Sequence, residues 1–250
     1  MSSAEVKHPD LTIAFLIAVS IFGLVLSTFF VLFPFPLEDD FAFRNLIVGS
    51  AFSMVCILGM FAALFPGHDS TIFKFRKSKA PKKRRIAIHE TTYRAHHPIC
   101  ENYSTHILSI GKMKFCATCS GLLLGAAFVL VSTSLYFFVD LRLAEPVVLV
   151  WLGVAGVTLG FAQSALPNLS NGLTRFVASI LFVVGTFLML VSVDEAAKSI
   201  SVDLFFVALS VLWILTKIGL SQRDHQRTCS HCSKDTCRYK KTQRQVRVLE

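Results

Sequence analysis

FVASILFVVGTFLMLVSV, residues 176–193, runs eighteen positions without one ionisable side chain. A hydrocarbon core of roughly 30 Å takes about 20 predominantly apolar residues to cross as a helix. Five further stretches meet or approach that length: Leu11 to Phe35, Leu46 to Pro66, Phe115 to Val139, Pro146 to Leu166 and Leu204 to Leu220. The last is broken by Lys217, whose long stem can snorkel its ammonium group to the interface. None of the six shows the period-two alternation of a barrel wall, so strands are not expected in them. The fold class expected is all-α, a polytopic bundle of about six transmembrane helices.

Composition agrees. Of the 250 residues, 53% are hydrophobic and only 16% charged, outside the range of an ordinary soluble domain. The first run is too long and too late for a cleaved secretory signal, acidic residues follow it, and no small-x-small site precedes a mature domain. It reads as a permanent helix.

Lys and Arg are retained on the cytoplasmic side of a membrane, which orients the bundle. Residues 67–114 hold eleven of them against three acidic residues, and residues 217–250 hold nine against three, so five remain for the rest of the chain. The opposite connections are short and acidic, with Glu38, Asp39 and Asp40 in one, Asp140 and Glu145 around Arg142 in the next, and Asp194 and Glu195 in the third. Six crossings of a cell membrane with both termini cytoplasmic satisfy every loop. The organisation expected is an N-terminal helical hairpin over 1–66, a basic cytoplasmic loop over 67–114, a four-helix region over 115–220 and a basic Cys-rich tail over 221–250. The net charge of +9 is thus concentrated in the loop and tail. A basic patch beside a membrane points to anionic lipid headgroups as partner, with a membrane protein as a second partner and nucleic acid a distant alternative.

Between their interfacial ends the spans carry no Asp, Glu, Lys, Arg or His before Lys217, and pumps, ion-coupled carriers and voltage sensors need such groups at depth. All eight histidines fall outside the spans, so no pair of them can hold a haem between transmembrane helices. Gln163 is the strongest polar feature within a span, suited to a hydrogen bond across helices. Asn171 and Gly172 shape the turn after it, and Arg175 anchors the fifth helix. Gly121-x-x-x-Gly125 and the trio Gly153, Gly156 and Gly160 suit close helix packing. No acid/base pair, glycine-rich phosphate loop or nucleophile elbow is present, so enzymatic activity is not the first expectation.

Six of the seven cysteines lie in or beside the two basic segments, and only Cys56 falls within a span. In a reducing compartment such cysteines suit metal ligation or redox chemistry better than structural disulfides. The first cluster reads His96-His97-Pro98-Ile99-Cys100, then His106, then Cys116-Ala117-Thr118-Cys119. Cys-x-x-Cys brings two sulfurs to one ion, and a third Cys with an imidazole from His97 or His106 completes a tetrahedral Cys₃His site for zinc. Gly111 lets the segment fold back. A closed site of this kind would staple the loop to the mouth of the third helix. The rival is a dithiol redox pair, since Cys116 and Cys119 begin a helix whose N-terminus favours thiolates. A third possibility is thiols that ligate nothing. The second cluster is His225, Cys229, Cys232 and Cys237, with His231 between the first two cysteines, which could hold zinc without help from the rest of the chain. It departs from a zinc knuckle, which would have His at the position of Cys237 and Cys at Thr242. A basic tail with incidental cysteines explains it equally well.

Taken together, His96-His97-Pro98-x-Cys100 and Phe115-Cys116-x-x-Cys119-Ser120-Gly121-x-x-x-Gly125 resemble the signature of a family of small polytopic membrane proteins known as domain of unknown function 2085. Gly160-Phe161-Ala162-Gln163 and Ser170-Asn171-Gly172-Leu173-Thr174-Arg175 are similar to its second motif, with Leu159 where an acidic residue is common. The resemblance spans roughly Thr91 to Gly185. It implies that the first cluster, Gln163, Asn171 and Arg175 form one region at the cytoplasmic face, and it supplies no activity.

The function expected is therefore assembly or regulation within the membrane around a structural zinc site. The alternatives are a thiol-disulfide oxidoreductase using Cys116 and Cys119, and a passive channel or carrier lined by Ser, Thr and Gln163.

Overall fold

In a computed structural model of the chain, the described residues are 8–34, 43–64, 93–94, 106–110, 113–141, 145–166 and 171–230. They form six helices, α1 (His8–Leu32), α2 (Arg44–Leu64), α3 (Ala117–Val139), α4 (Pro146–Ala165), α5 (Gly172–Ala197) and α6 (Ile200–Ser230), with three short strands, β1 (Tyr93–Arg94), β2 (Ile107–Ile110) and β3 (Met113–Cys116). All six helices are long and apolar enough to cross a membrane, which makes the chain a multi-pass α-helical bundle. Large apolar side chains such as Phe15, Phe22, Phe29, Phe128 and Trp151 stand exposed on its outside, as lipid-facing surface requires.

Local chemistry sets the helix ends. Pro34 stands two residues past the last residue of α1, and Pro146 occupies the first position of α4, where its missing N–H costs nothing. α3 and α5 close on left-handed residues, Asp140 at φ 58° and Lys198 at φ 48°. Their backbone N–H groups return to Leu135 and Asp194 carbonyls.

α5 runs through the centre. It lies antiparallel to α4, where Gly153 and Gly156 face Gly185, and parallel to α3, where Gly121 and Gly125 meet Phe176 and Ile180. At Gly121, Gly153, Gly156 and Gly185 the glycine lets two backbones approach to a distance that a methyl group would prevent, and at Gly125 a methyl group would be tight, the use expected of these small residues. Phe182, Phe187, Met189, Val157 and Trp213 fill the core. α1 clasps α6 through a hydroxyl pair, Ser20 with Thr216 at 2.9 Å, and Trp213 Nε1 donates to the Ser20 carbonyl at 3.3 Å.

Three features differ from the sequence expectation. α6 continues ten residues past Leu220, so His225 and Cys229 begin on a helix and not in a tail. Lys217 does not snorkel; it is 2% exposed and turned into the bundle. Its stem is directed by an acceptor on α4 in place of the interface. Finally, the basic segment contributes a sheet of order β1-β3-β2 at the mouth of α3. β2 and β3 pair antiparallel, Ile107 with Cys116 through Ile110 with Met113, so the chain does fold back between Ile110 and Met113. β1 pairs parallel with β3, Tyr93 with Lys114 and Arg94 with Phe115.

Candidate functional site

The sheet docks where α3, α5 and α6 meet. Gly172 opens α5, and a Cβ there would stand 2.6 Å from the Ile107 carbonyl oxygen, so only glycine lets β2 rest on the first turn of α5. Asn171 is the N-cap of that helix in extended conformation, and the Thr174 hydroxyl donates back to its carbonyl at 2.8 Å. The Asn171 side chain makes no capping hydrogen bond, and the turn before it lies outside the described residues.

β3 runs directly into α3. Cys116 is the N-cap residue, and Cys119 is the third residue of the helix, as the redox and metal readings both require. Neither is in a disulfide. Cys116 is buried and Cys119 partly so, while the Ser120 hydroxyl donates to the Cys116 carbonyl at 2.8 Å. His106 precedes β2 and is buried, its Nε2 3.6 Å from Asp224 Oδ2.

Asp224 ties the hairpin to the helices. Its Oδ2 accepts from Arg175 Nη1 at 3.0 Å, so one carboxylate stands between the α5 guanidinium and the imidazole before β2. Arg175 is 4% exposed, and its Nε–H has no hydrogen-bond partner. It anchors α5, as expected, but to α6. The Lys217 ammonium lies near enough to Arg175 to feel its charge. Lys217 donates to the Gly160 carbonyl at 2.9 Å and sits 4.9 Å above the Phe182 ring, a cation–π distance.

The interhelical bond expected from Gln163 is not seen at its amide oxygen, which is buried and without a partner. Lys217 performs that bridging three residues earlier on α4. The structure thus joins His106 and Arg175 through Asp224, adds Lys217 beside them, and leaves Asn171 exposed at the rim. Asp224 and Lys217 were not foreseen as partners here. Their spacing of seven, two turns on one helical face, was the available signal, but it spans the point where the apolar run stops.

His97, Cys100, Cys232 and Cys237 lie outside the described residues, as do the side chains of His225 and Cys229. Among the described residues no three His, Cys, Asp or Glu side chains converge as a metal would need. The hydroxyls of Ser27, Thr133, Ser179, Thr186 and Ser210 each donate to the carbonyl four residues earlier in their own helix, which gives a hydroxyl-lined pore no support. No protein family, curated protein or solved structure matches the chain.

Proposed function

We propose that this is a cell-membrane protein, with both termini cytoplasmic, whose basic loop is folded onto the α3 mouth by a structural zinc site, and that it acts in assembly or regulation of a membrane complex. The ligands proposed are Cys100, Cys116, Cys119 and an imidazole from His106 or His97. The observation that carries the reading is the parallel pairing of Tyr93–Arg94 with Lys114–Phe115. Because that pairing is parallel, β1 points toward the end of the sheet where Cys116 opens α3. His97 and Cys100 follow Arg94 by three and six residues, as Cys116 and Cys119 follow Phe115 by one and four.

Donor chemistry fits zinc. Two thiols at Cys-x-x-Cys spacing, a third thiol and an imidazole make the usual closed tetrahedral set. A ligating imidazole commonly gives its other N–H to a carboxylate, and Asp224 Oδ2 stands 3.6 Å from His106 Nε2, which favours His106 over His97. Orientation rests on the concentration of Lys and Arg in residues 67–114 and 217–250. The second cluster, on His225, Cys229, Cys232 and Cys237, is proposed as a separate zinc site in the same compartment. Kinship with the domain of unknown function 2085 accords with the first cluster and with Arg175 in the same region.

Burial of Cys116 at 4% exposure counts against the redox alternative, since an attacking or attacked sulfur needs access. The test is elemental analysis of the purified full chain beside a Cys100→Ser variant. Bound zinc that the variant loses from the first site supports the proposal; metal-free protein whose Cys116 and Cys119 cycle between dithiol and disulfide overturns it.

A further inference from the structure

At the end of the bundle away from the hairpin, four helices bring polar side chains to one point. Arg44 opens α2, Tyr136 lies in the last turn of α3, Asp194 and Glu195 near the end of α5, and Asp203 in the first turn of α6. Arg44 Nε donates to Asp203 Oδ2 at 2.8 Å, and its Nη2 donates to the Asp194 carboxylate and, at 3.0 Å, to the Asp194 carbonyl. The Tyr136 hydroxyl donates to Asp194 Oδ2 at 2.7 Å, with Glu195 Oε1 3.2 Å away. Both Asp194 oxygens therefore have donors.

Asp203 does not. It is 0% exposed, and its Oδ1 has no hydrogen-bond partner, while its Oδ2 shares the Arg44 guanidinium with the Asp194 carboxylate. Lys198, the other described cation nearby, caps α5 from an exposed position. Two buried carboxylates thus face one guanidinium, with the partly exposed Glu195 adding negative charge. An unpaired buried carboxylate is costly, and two carboxyl groups at one site settle the conflict by sharing a proton.

We infer that Asp203 holds a proton on Oδ1 and offers it to the neighbouring Asp194 carboxylate. With it, the pair bears a single negative charge matched by Arg44, and a neutral lock joins α2, α3, α5 and α6. Without it, two desolvated carboxylates repel across the same contact and the lock loosens. The folded chain then holds a proton that the unfolded chain, with ordinary aspartates, has released at neutral pH. Unfolding releases it, so stability is greatest where the pair is protonated and falls as pH rises through the step at which the folded pair loses it.

Infrared spectroscopy of the full chain in detergent tests this directly. With carboxyl-¹³C aspartate incorporated, the wild type at neutral pH is expected to show a protonated-carboxyl stretch shifted by the label. Asp203→Asn should abolish that band and flatten the decline of the thermal midpoint with rising pH. Should that variant not fold, Asp203→Glu should retain an acid band that no longer shifts with labelled aspartate. An absent aspartic acid band in the wild type, or one that survives Asp203→Asn, overturns the inference.

Discussion

Gly185→Ala tests the packing on which the bundle depends. A Cβ at residue 185 would stand 2.7 Å from the Gly153 carbonyl oxygen, 3.0 Å from Val157 N and 3.1 Å from Gly156 Cα. All three are backbone atoms of α4, so no side chain can rotate away. The nearest is about 0.7 Å inside the 3.4 Å at which ordinary contact begins, and the helices must separate by a comparable amount. Overpacking of this kind costs about 1–3 kcal/mol. Alanine also favours the helix over glycine, by up to about 1 kcal/mol, which would mask part of the loss. Gly59→Ala supplies the correction, because nothing lies within 4 Å of a Cβ there and the same helical gain applies. The difference between the two variants isolates the contact. At roughly 2–4 °C per kcal/mol for a chain of this size, Gly185→Ala should melt about 2–12 °C below Gly59→Ala in detergent. Coincident melting curves would refute the close α4–α5 approach.

Asp224→Asn should be strongly destabilising, since it leaves buried Arg175 without its carboxylate, and breaking a buried pair costs about 3–5 kcal/mol. Adding Lys217→Met should recover part of the lost thermal midpoint by removing a second buried cation beside the unpaired Arg175, and no recovery would mean that the two cations do not act on each other. Lys217 itself should resist an amine-reactive reagent in the folded protein while exposed Lys198 reacts, as read by peptide mass spectrometry. Equal labelling would restore the snorkelling lysine.

The helices were legible because a span announces itself by length and uniform apolarity, and neither depends on what surrounds it. Even the glycines on α3 and α4 could be read for close packing, although nothing in the sequence said that α5 would be the partner of both. The sheet was not legible. Tyr93–Arg94 is two residues long, and its parallel partner lies some twenty residues away, so no local pattern marks it. The candidate site was read in part: Cys116, Cys119, His106 and Arg175 were identified by residue type and spacing, whereas Asp224 was lost among tail charges. Gln163 stands out because it is a polar residue in an apolar run, and that signal says nothing of whether its oxygen finds a partner.

In the sequence, charges at the ends of apolar runs mark the membrane interface, and their environment in the bundle follows from helix geometry. Arg175 and Asp194 are nineteen residues apart on α5, about 28 Å at 1.5 Å per residue, close to the roughly 30 Å of a hydrocarbon core. Asp203 and Asp224 are separated on α6 by about 31 Å on the same rise. Each helix therefore carries a charged residue at both margins of the apolar layer, and the two helices run antiparallel, so Arg175 meets Asp224 at one margin while Asp194 and Asp203 gather around Arg44 at the other. Position along the sequence placed these groups correctly by depth. It could not give their direction, and all turn inward because each has a partner of opposite charge on another helix. Lys217 breaks the pattern: it lies about 10 Å inside Asp224 along α6, held by one carbonyl and a ring face. A buried ammonium held by a carbonyl and a ring face, with no ion pair among the described residues, adds little to stability, so Lys217 is the residue in the spans whose presence most calls for a role beyond holding the bundle together.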